Sequence, residues 1–298
     1  MMQAEPRVQP IFIKIFSNLL LALPILGLAG WLRAQPSRSP GPERTVEGRA
    51  VEVPVGEGLR GWQLAAPEKR FGGLSALAVE PGGLVALTDS GVVVRFSSPE
   101  PGDATVVFAL RDLPDGPGSP LRKSARDSES LLADPAGRGW LVAFENRHSL
   151  WLFSGGFERA IAKRRLDVDW SFNRGGEALV AARDGKVMVL PEDGGRAAGG
   201  AMIAPAGTSD ATRLPDGRLV LLLRRWTWRG FATHLQIDGG AGRPARRIAL
   251  DLAPLDNMEG IAAAPLPDGG TRLWIVSDDN FRPWMRTVLV ALDLPPGA

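Results

Sequence analysis

Cysteine and tyrosine are absent from the 298 residues, and histidine occurs only as His148 and His234. Without cysteine there are no disulfides, no thiolate zinc site and no cysteine nucleophile. The one Arg-His pair, Arg147-His148, is followed by Ser149, so the Arg-His-Gly start of a histidine acid phosphatase is missing. A purple acid phosphatase centre, which needs tyrosine and several histidines, is excluded by the same scarcity. Neither Gly-x-Ser-x-Gly nor His-Glu-x-x-His occurs. An excess of one charge is lacking too: 35 Lys and Arg face 33 Asp and Glu, a net +2. That is too little for bulk attraction to nucleic acid, and no basic stripe with interleaved aromatics replaces it, so no nucleic-acid partner is expected.

What is present is an ordinary globular composition, 44% hydrophobic and 23% charged. The 36 glycines and 25 prolines are dispersed, the mark of many tight turns between many short strands. Ile15 to Leu32 is apolar except for Ser17, Asn18 and Pro24, with Arg7 and Lys14 before it and Arg33 and Arg38 after it. A basic stretch ahead of an apolar one reads as an export signal or, uncleaved, as a hydrophobic helix anchoring the chain in a membrane. Residues 1–33 are therefore assigned to a signal peptide or anchor, and the protein is expected to be exported, periplasmic or membrane-anchored. A buried core helix is the alternative, but the run has almost no polar face. Residues 34–45 carry three prolines and read as a linker. The folded domain is expected over 46–298.

From Val46 onward no long amphipathic pattern appears. Instead one unit recurs: a small or acidic residue, an apolar strand, a Gly turn, and a second apolar strand ending in a charge. Its copies span 74–91, 128–146, 176–193, 209–225 and 258–280. They open at Ser75, Glu129, Glu177, Asp210 and Glu259 and turn at Gly83, Gly137, Gly185, Gly217 and Gly269. They close at Asp89, Glu145, Glu192, Arg224 and Asp278. Leu-Pro-Asp-Gly at 214–217 and 266–269 suits a turn, because Pro presets one φ and Gly accepts a positive one. Runs such as LVLLL at 219–223 are continuous, as in strands buried on both faces. Such units predict an all-β, β-propeller-like domain of about six blades at roughly 40–45 residues each. The sixth blade is expected from 46–72 and the last strands, closing the ring by pairing the chain ends. A two-sheet β-sandwich is the alternative.

The ordered segments GGLSAL and LTDSG (72–77, 88–91), SESLL and FENRHSLWLF (144–153), NRGGEAL (173–179), SDATRLPDGRLVLLLRR, and NMEGIAAAPLPDGGTRLWIVSDDNF (257–281) with MRTVLVALDL (285–294) resemble the phytase-like family, or esterase-like activity of phytase. The resemblance runs from about Gly72 to Leu294. Two positions depart from the family pattern: Ser90 follows Asp89 where Arg-Gly is usual, and Ser130 follows Glu129 where Gly is usual.

Equivalent positions in a propeller converge on the axis or on one rim. Glu129, Glu145, Glu177, Asp210, Glu259, Asp278 and Asp279 can therefore meet although they are distant in sequence. Crowded carboxylates resist ionisation, and a hard cation such as Ca²⁺, with six to eight oxygen ligands, relieves the repulsion. Glu177, Glu259 and Asp278 are the candidates for catalysis. Arg147, Arg224, Arg225 and Arg282 stand beside the acids and offer a fork to a small phosphorylated or anionic ligand. Acids that open each repeat also suit a purely structural role, accepting backbone N–H bonds at turns. Two functions stay open: a metal-assisted phosphoric-ester hydrolase, and a non-catalytic propeller for binding or scaffolding. A monomer is expected.

Overall fold

The computed structural model describes residues 42–102, 104–119, 123–171, 175–182, 184–240 and 244–297. The chain divides into two units, Met1–Pro36 and Ser37–Ala298, and the described residues belong to the second. The N-terminal hydrophobic helix expected from the sequence lies outside the described residues, as does the linker up to residue 41. Among the described residues there is no α-helix, only one 3-10 turn at Lys123–Ala125.

Two strands open the domain, β1 (Arg44–Glu52) and β2 (Leu59–Ala65). Arg44 and Thr45, expected in the linker, are thus already strand. The first blade is β3 (Leu74–Glu80), β4 (Gly83–Thr88), β5 (Val92–Phe96) and β6 (Ala104–Asp112). The second is β7 (Ser128–Ala133), β8 (Trp140–Phe144), β9 (Ser149–Phe153) and β10 (Ala160–Arg165). The third has only β11 (Ala178–Ala181) and β12 (Val187–Leu190), then a small pair, β13 (Gly195–Arg196) and β14 (Ile203–Ala204). The fourth is β15 (Thr208–Arg213), β16 (Leu219–Thr227), β17 (Gly230–Ile237) and β18 (Arg246–Leu250). The fifth is β19 (Asn257–Pro265), β20 (Thr271–Asp278) and β21 (Val288–Leu294), with β2 as its outer strand.

The first strand of each unit is innermost. β3 touches β7, β7 touches β11, β11 touches β15, β15 touches β19, and β19 returns to β3. The ring therefore has five blades, not the expected six. The physical reason lies in the pairing of β1 and β2. β2 joins β21, with Leu59 opposite Leu292 and Gln63 opposite Val288, while β1 joins β6, with Arg44 opposite Leu110 and Ala50 opposite Ala104. The two chain ends do pair, as expected, but residues 46–72 complete the fifth blade and extend the first. One nine-stranded sheet results, in the order β19-β20-β21-β2-β1-β6-β5-β4-β3. The third blade is short because 191–207 is rich in glycine, which weakens strands. On the outer side of β12 the next pairing is an isolated bridge between Val189 and Ala198.

Five apolar cores lie between successive blades, and the continuous strands feed two of them at once. On β4, Leu84 and Ala86 pack toward the fifth blade while Val85 and Leu87 pack toward the second. On β8, Val142 and Phe144 face the first blade while Leu141 and Ala143 face the third. Gly260 permits the closest approach of the inner strands. A Cβ there would stand 2.8 Å from the backbone of Ala76 and Leu77 on β3. The turn glycines with positive φ are Gly82, Gly137, Gly185, Gly217 and Gly269. In the first repeat it is thus Gly82, not Gly83, that makes the turn.

Closure concentrates on Trp62 of β2, which is 1% exposed and packs its ring 5.9 Å from that of Trp274 in the core between the first and last blades. Trp62→Ala should lower the unfolding free energy by about 3–5 kcal/mol, read from the midpoint of denaturant unfolding. A loss under about 1 kcal/mol would show that the added outer strand does not hold the ring.

Candidate functional site: an acidic ring at one end of the axis

All five inner strands begin at the same end of the propeller, and each carries a bulge there. The register shifts at Ser75, Glu129, Ser209 and Glu259. β11 does the same, since Leu190 pairs with Ala178 and also accepts the N–H of Glu177 at 3.1 Å. A bulge leaves its residue unpaired and re-aims the side chain, so one side chain per blade turns out of the ladder. The neighbouring strand returns to the same end with Asp89, Glu145, Glu192, Arg224 or Asp278. The N–H groups of Asp89, Glu145 and Arg224 donate to Gly73, Asp127 and Gly207 at 2.8, 2.9 and 2.7 Å, and Asp278 stands opposite Asn257.

Register places Ser209, rather than Asp210, at the opening position of the fourth repeat. The carboxylate of Asp210 accepts the N–H groups of Ala211 at 2.8 Å and Ile261 at 2.7 Å, tying β15 to β19. Asp279 is used in the same way. Its Oδ1 accepts from the N–H of Gly73 at 2.8 Å and of Phe281 at 2.9 Å, and its Oδ2 from the Thr287 hydroxyl at 2.9 Å. Both acids hold backbone in place.

The other acids form one electrostatic network: Asp89, Asp127, Glu129, Glu145, Glu177, Glu192, Glu259 and Asp278. Two cations enter it. Lys123 Nζ lies 3.3 Å from Asp89 and 2.5 Å from Asp127. Arg224 donates to Glu259 and Asn257 and, at 3.1 Å, to Glu192. Burial and like charge push the acids up. Burial with Asp127 nearby raises Asp89 to about 7 and Glu145 to about 8, although Lys123 opposes both. Burial, then Asp127 and Glu177, holds Glu129 well above its ordinary value; burial, then Glu192 and Glu145, does so for Glu177. Burial, Asp89 and Glu259 do the same for Asp278. Burial also raises Glu259, against the pull of Arg224.

Within the network, Asp127, Glu129 and Glu145 each offer a carboxylate oxygen, all within 4.8 Å of one another, an arrangement that can hold a metal ion. The donor set is all hard oxygen, which fits Ca²⁺ rather than a soft metal. Two buried acceptors beside it, Asp89 Oδ1 and Asn146 Oδ1, have no hydrogen-bond partner, while Asn146 Nδ2 donates to Asp127 at 2.7 Å. Arg224 is inside the network, Arg147 and Arg225 are exposed, and Arg282 sits 5.6 Å over the ring of Trp284. Arg224 and Arg225 also line a cleft of about 270 Å³ with His234 and Arg247.

Sequence reasoning missed Asp127, Lys123, Asn146 and Asn257. For two of these a signal existed: Asp127-Ser128-Glu129 and Asn257-Met258-Glu259 put an oxygen carrier two residues before the bulged acid in the second and fifth repeats. Lys123 comes from the connection between blades and has no periodic signature.

Among solved structures, the chain is similar to hydrazine synthase of Kuenenia stuttgartiensis at 15% identity, covering 74% of this chain and 63% of that one, with a TM-score of 0.35. It is also similar to a putative 6-phosphogluconolactonase from Bacteroides fragilis at 14% identity, 80% and 78% coverage and a TM-score of 0.35. The β-propeller domain of Myceliophteria thermophila Cps50 (Swd1) matches at 10% identity, 72% and 66% coverage and a TM-score of 0.32. No curated protein matches the chain. A family model for the esterase-like activity of phytase matches residues 69–204 and 196–281, which take in all five inner strands and every acid of the network. The chain belongs to the phytase-like family.

Proposed function

We propose that the acidic end of the axis binds a divalent cation, Ca²⁺ by its donor chemistry, and that the domain is a metal-assisted phosphoric-ester hydrolase. The observation that carries this reading is the Asp127–Glu129–Glu145 group, three carboxylates within 4.8 Å in a network where, among the described residues, eight acids face two cations. Glu129, Glu145 and Asp127 would hold the ion, with Asp89 and Asn146 as further oxygens. A bound cation supplies charge neutralisation and polarises a phosphoryl oxygen. Glu177 and Asp278 have no cation bonded to them among the described residues, and burial with neighbouring carboxylates favours their protonated form, which suits them to donate a proton. Arg147 has no acidic partner among the described residues and would position the anionic substrate. The basic-then-apolar N-terminus supports an activity outside the cytoplasm, in the periplasm or at a membrane surface. Fractionation of the tagged protein should find it there, and a cytoplasmic pool with an intact N-terminus would remove that part of the reading.

Calcium that binds only the folded state stabilises it by about 2.7 kcal/mol at a hundredfold excess over Kd, a rise of roughly 5–10 °C in Tm. Chelator should reverse the rise, and Glu129→Gln should blunt it while leaving the strand signal in circular dichroism unchanged. If melting ignores calcium, the acids are structural. If calcium stabilises but no phosphate or carboxylate ester is turned over, the domain is a binding propeller.

The raised acids set a pH dependence. Between the ordinary carboxylate range and the folded values of about 7 for Asp89 and about 8 for Glu145, the folded protein keeps protons that the unfolded chain has released. Stability of the chelated protein is therefore fully present in acid and falls as pH rises through about 8. Calcium needs the ionised carboxylates, so its stabilisation should be larger at pH 8 than at pH 5.5. Urea midpoints measured at both pH values, with and without calcium, check this; a chelated protein that gains stability toward pH 8 contradicts it.

A further inference from the structure

Exposed tryptophan is confined to one corner of the domain. Trp228 is 87% exposed, Trp284 63% and Trp226 59%, whereas Trp62, Trp140, Trp151 and Trp274 are buried. Trp226 and Trp228 belong to the β16–β17 hairpin tip, Leu255, also exposed, to the connection into β19, and Trp284 to the loop after β20. By the direction of their strands, all three loops stand at the end that carries the acidic ring. They are joined to one another. Phe231 N–H donates to Pro254 O at 2.8 Å, and Arg286 forms two bonds to Asp256 at 2.9 and 2.8 Å. The patch is thus a rigid corner of neighbouring tips.

Its cations are arranged with the rings. Arg229 stands 4.4 Å over Trp228 and Arg282 5.6 Å over Trp284. Arg225, Arg229 and Arg282 form no ion pair among the described residues, and Asp251 is the one exposed acid in the three loops without a bonded cation. Indole rings with one apolar and one polar side settle at the level of lipid headgroups, and guanidinium groups beside them can fork onto phosphate. The chain also enters the domain at this end. β1 starts opposite Leu110 near the top of β6, and Arg70 ties Pro42 O, at 2.7 Å, to Asp112, at 2.9 Å. The residues preceding Pro42 include the apolar run Ile15 to Leu32.

We propose that this corner docks on an anionic lipid bilayer, with Trp226, Trp228 and Trp284 as interfacial anchors and Arg225, Arg229 and Arg282 on headgroup phosphates. The acidic ring then faces the membrane surface. This goes beyond the metal reading and does not rest on it.

Amide hydrogen exchange of the full-length protein on vesicles tests it. On phosphatidylglycerol vesicles, exchange in 226–230 and 282–286 should slow by about threefold or more, while the turns at 81–83 and 266–270, at the opposite end, stay unchanged. Phosphatidylcholine vesicles should protect less. Trp228→Ser with Trp284→Ser, both at exposed tips, should abolish the protection and leave the calcium response of Tm intact, so failure of either reading is visible without the other. Unchanged exchange on phosphatidylglycerol overturns the proposal, and equal protection on phosphatidylcholine overturns the anionic assignment. Protection in lipid-free buffer that grows with protein concentration assigns the corner to a second copy. Protection already complete without lipid at every concentration assigns it to another segment of the chain.

Discussion

Each inner strand of the ring has one edge with no strand beside it. β3, β7, β11, β15 and β19 all lie at the end of their sheets, so their inward N–H and C=O groups must be satisfied by something other than a ladder. Side chains do this from blade to blade. Ser75 donates to Ser128 O at 2.7 Å, Ser130 to Gly176 O at 2.7 Å, and Ser209 to Met258 O at 3.2 Å. Asp210 accepts from Ile261, and Asp279 from Gly73. The small and acidic residues that open each repeat are there first because a five-strand axis leaves backbone groups unpaired. The bulges follow from the same crowding, since they release one residue per blade from the ladder and let the strand starts converge.

That convergence creates the chemical problem at the acidic end. Having turned one side chain per blade out of the ladder, the chain places Glu129, Glu177 and Glu259 on three of the five bulges and further acids on the returning strands. A protein seeking stability alone would use serine there, as it does at Ser75 and Ser209. Asp210 and Asp279 show what a structural acid looks like at this end: each accepts two or more hydrogen bonds, and in Asp210 these oppose the upward push of burial. Glu129 and Glu145 differ, because their carboxylates face other carboxylates, and after burial it is Asp127 that raises each of them most.

The sequence carried much of this architecture, because strands buried on both faces leave continuous apolar runs, and β4, β8 and β16 behave accordingly. The five hairpin units and the pairing of the chain ends were legible for the same reason. The blade count was not. Residues 44–65 have ordinary strand patterning, and only their long-range partners, β6 and β21, decide that they extend two blades instead of building another. Spacing alone also cannot register a bulge, so Ser209 and Asp210 are indistinguishable until β16 is laid beside them. Glu129, Glu145, Glu177, Glu259 and Asp278 were placed at equivalent positions from spacing. The counter-ion Lys123 was invisible, since it arrives from an irregular connection that no period predicts.

The two ends of the propeller are unequal. At the far end the inner hairpins β3–β4, β7–β8, β15–β16 and β19–β20 close in tight turns around Gly82, Gly137, Gly217 and Gly269, and the β1–β2, β5–β6, β9–β10 and β17–β18 connections lie beside them. At the acidic end lie the connections between blades, the loop 279–287 and the entry of the chain. Loops on a rigid frame are where binding groups accumulate, because they change without disturbing the core. Here the frame is the ring of inner strands, which fixes the acids, while the loops around it supply Lys123, Arg282 and the exposed tryptophans. A ligand reaching the acids from this end passes the loops first. The inner strands therefore hold the acids in register, and the loops form the approach to them.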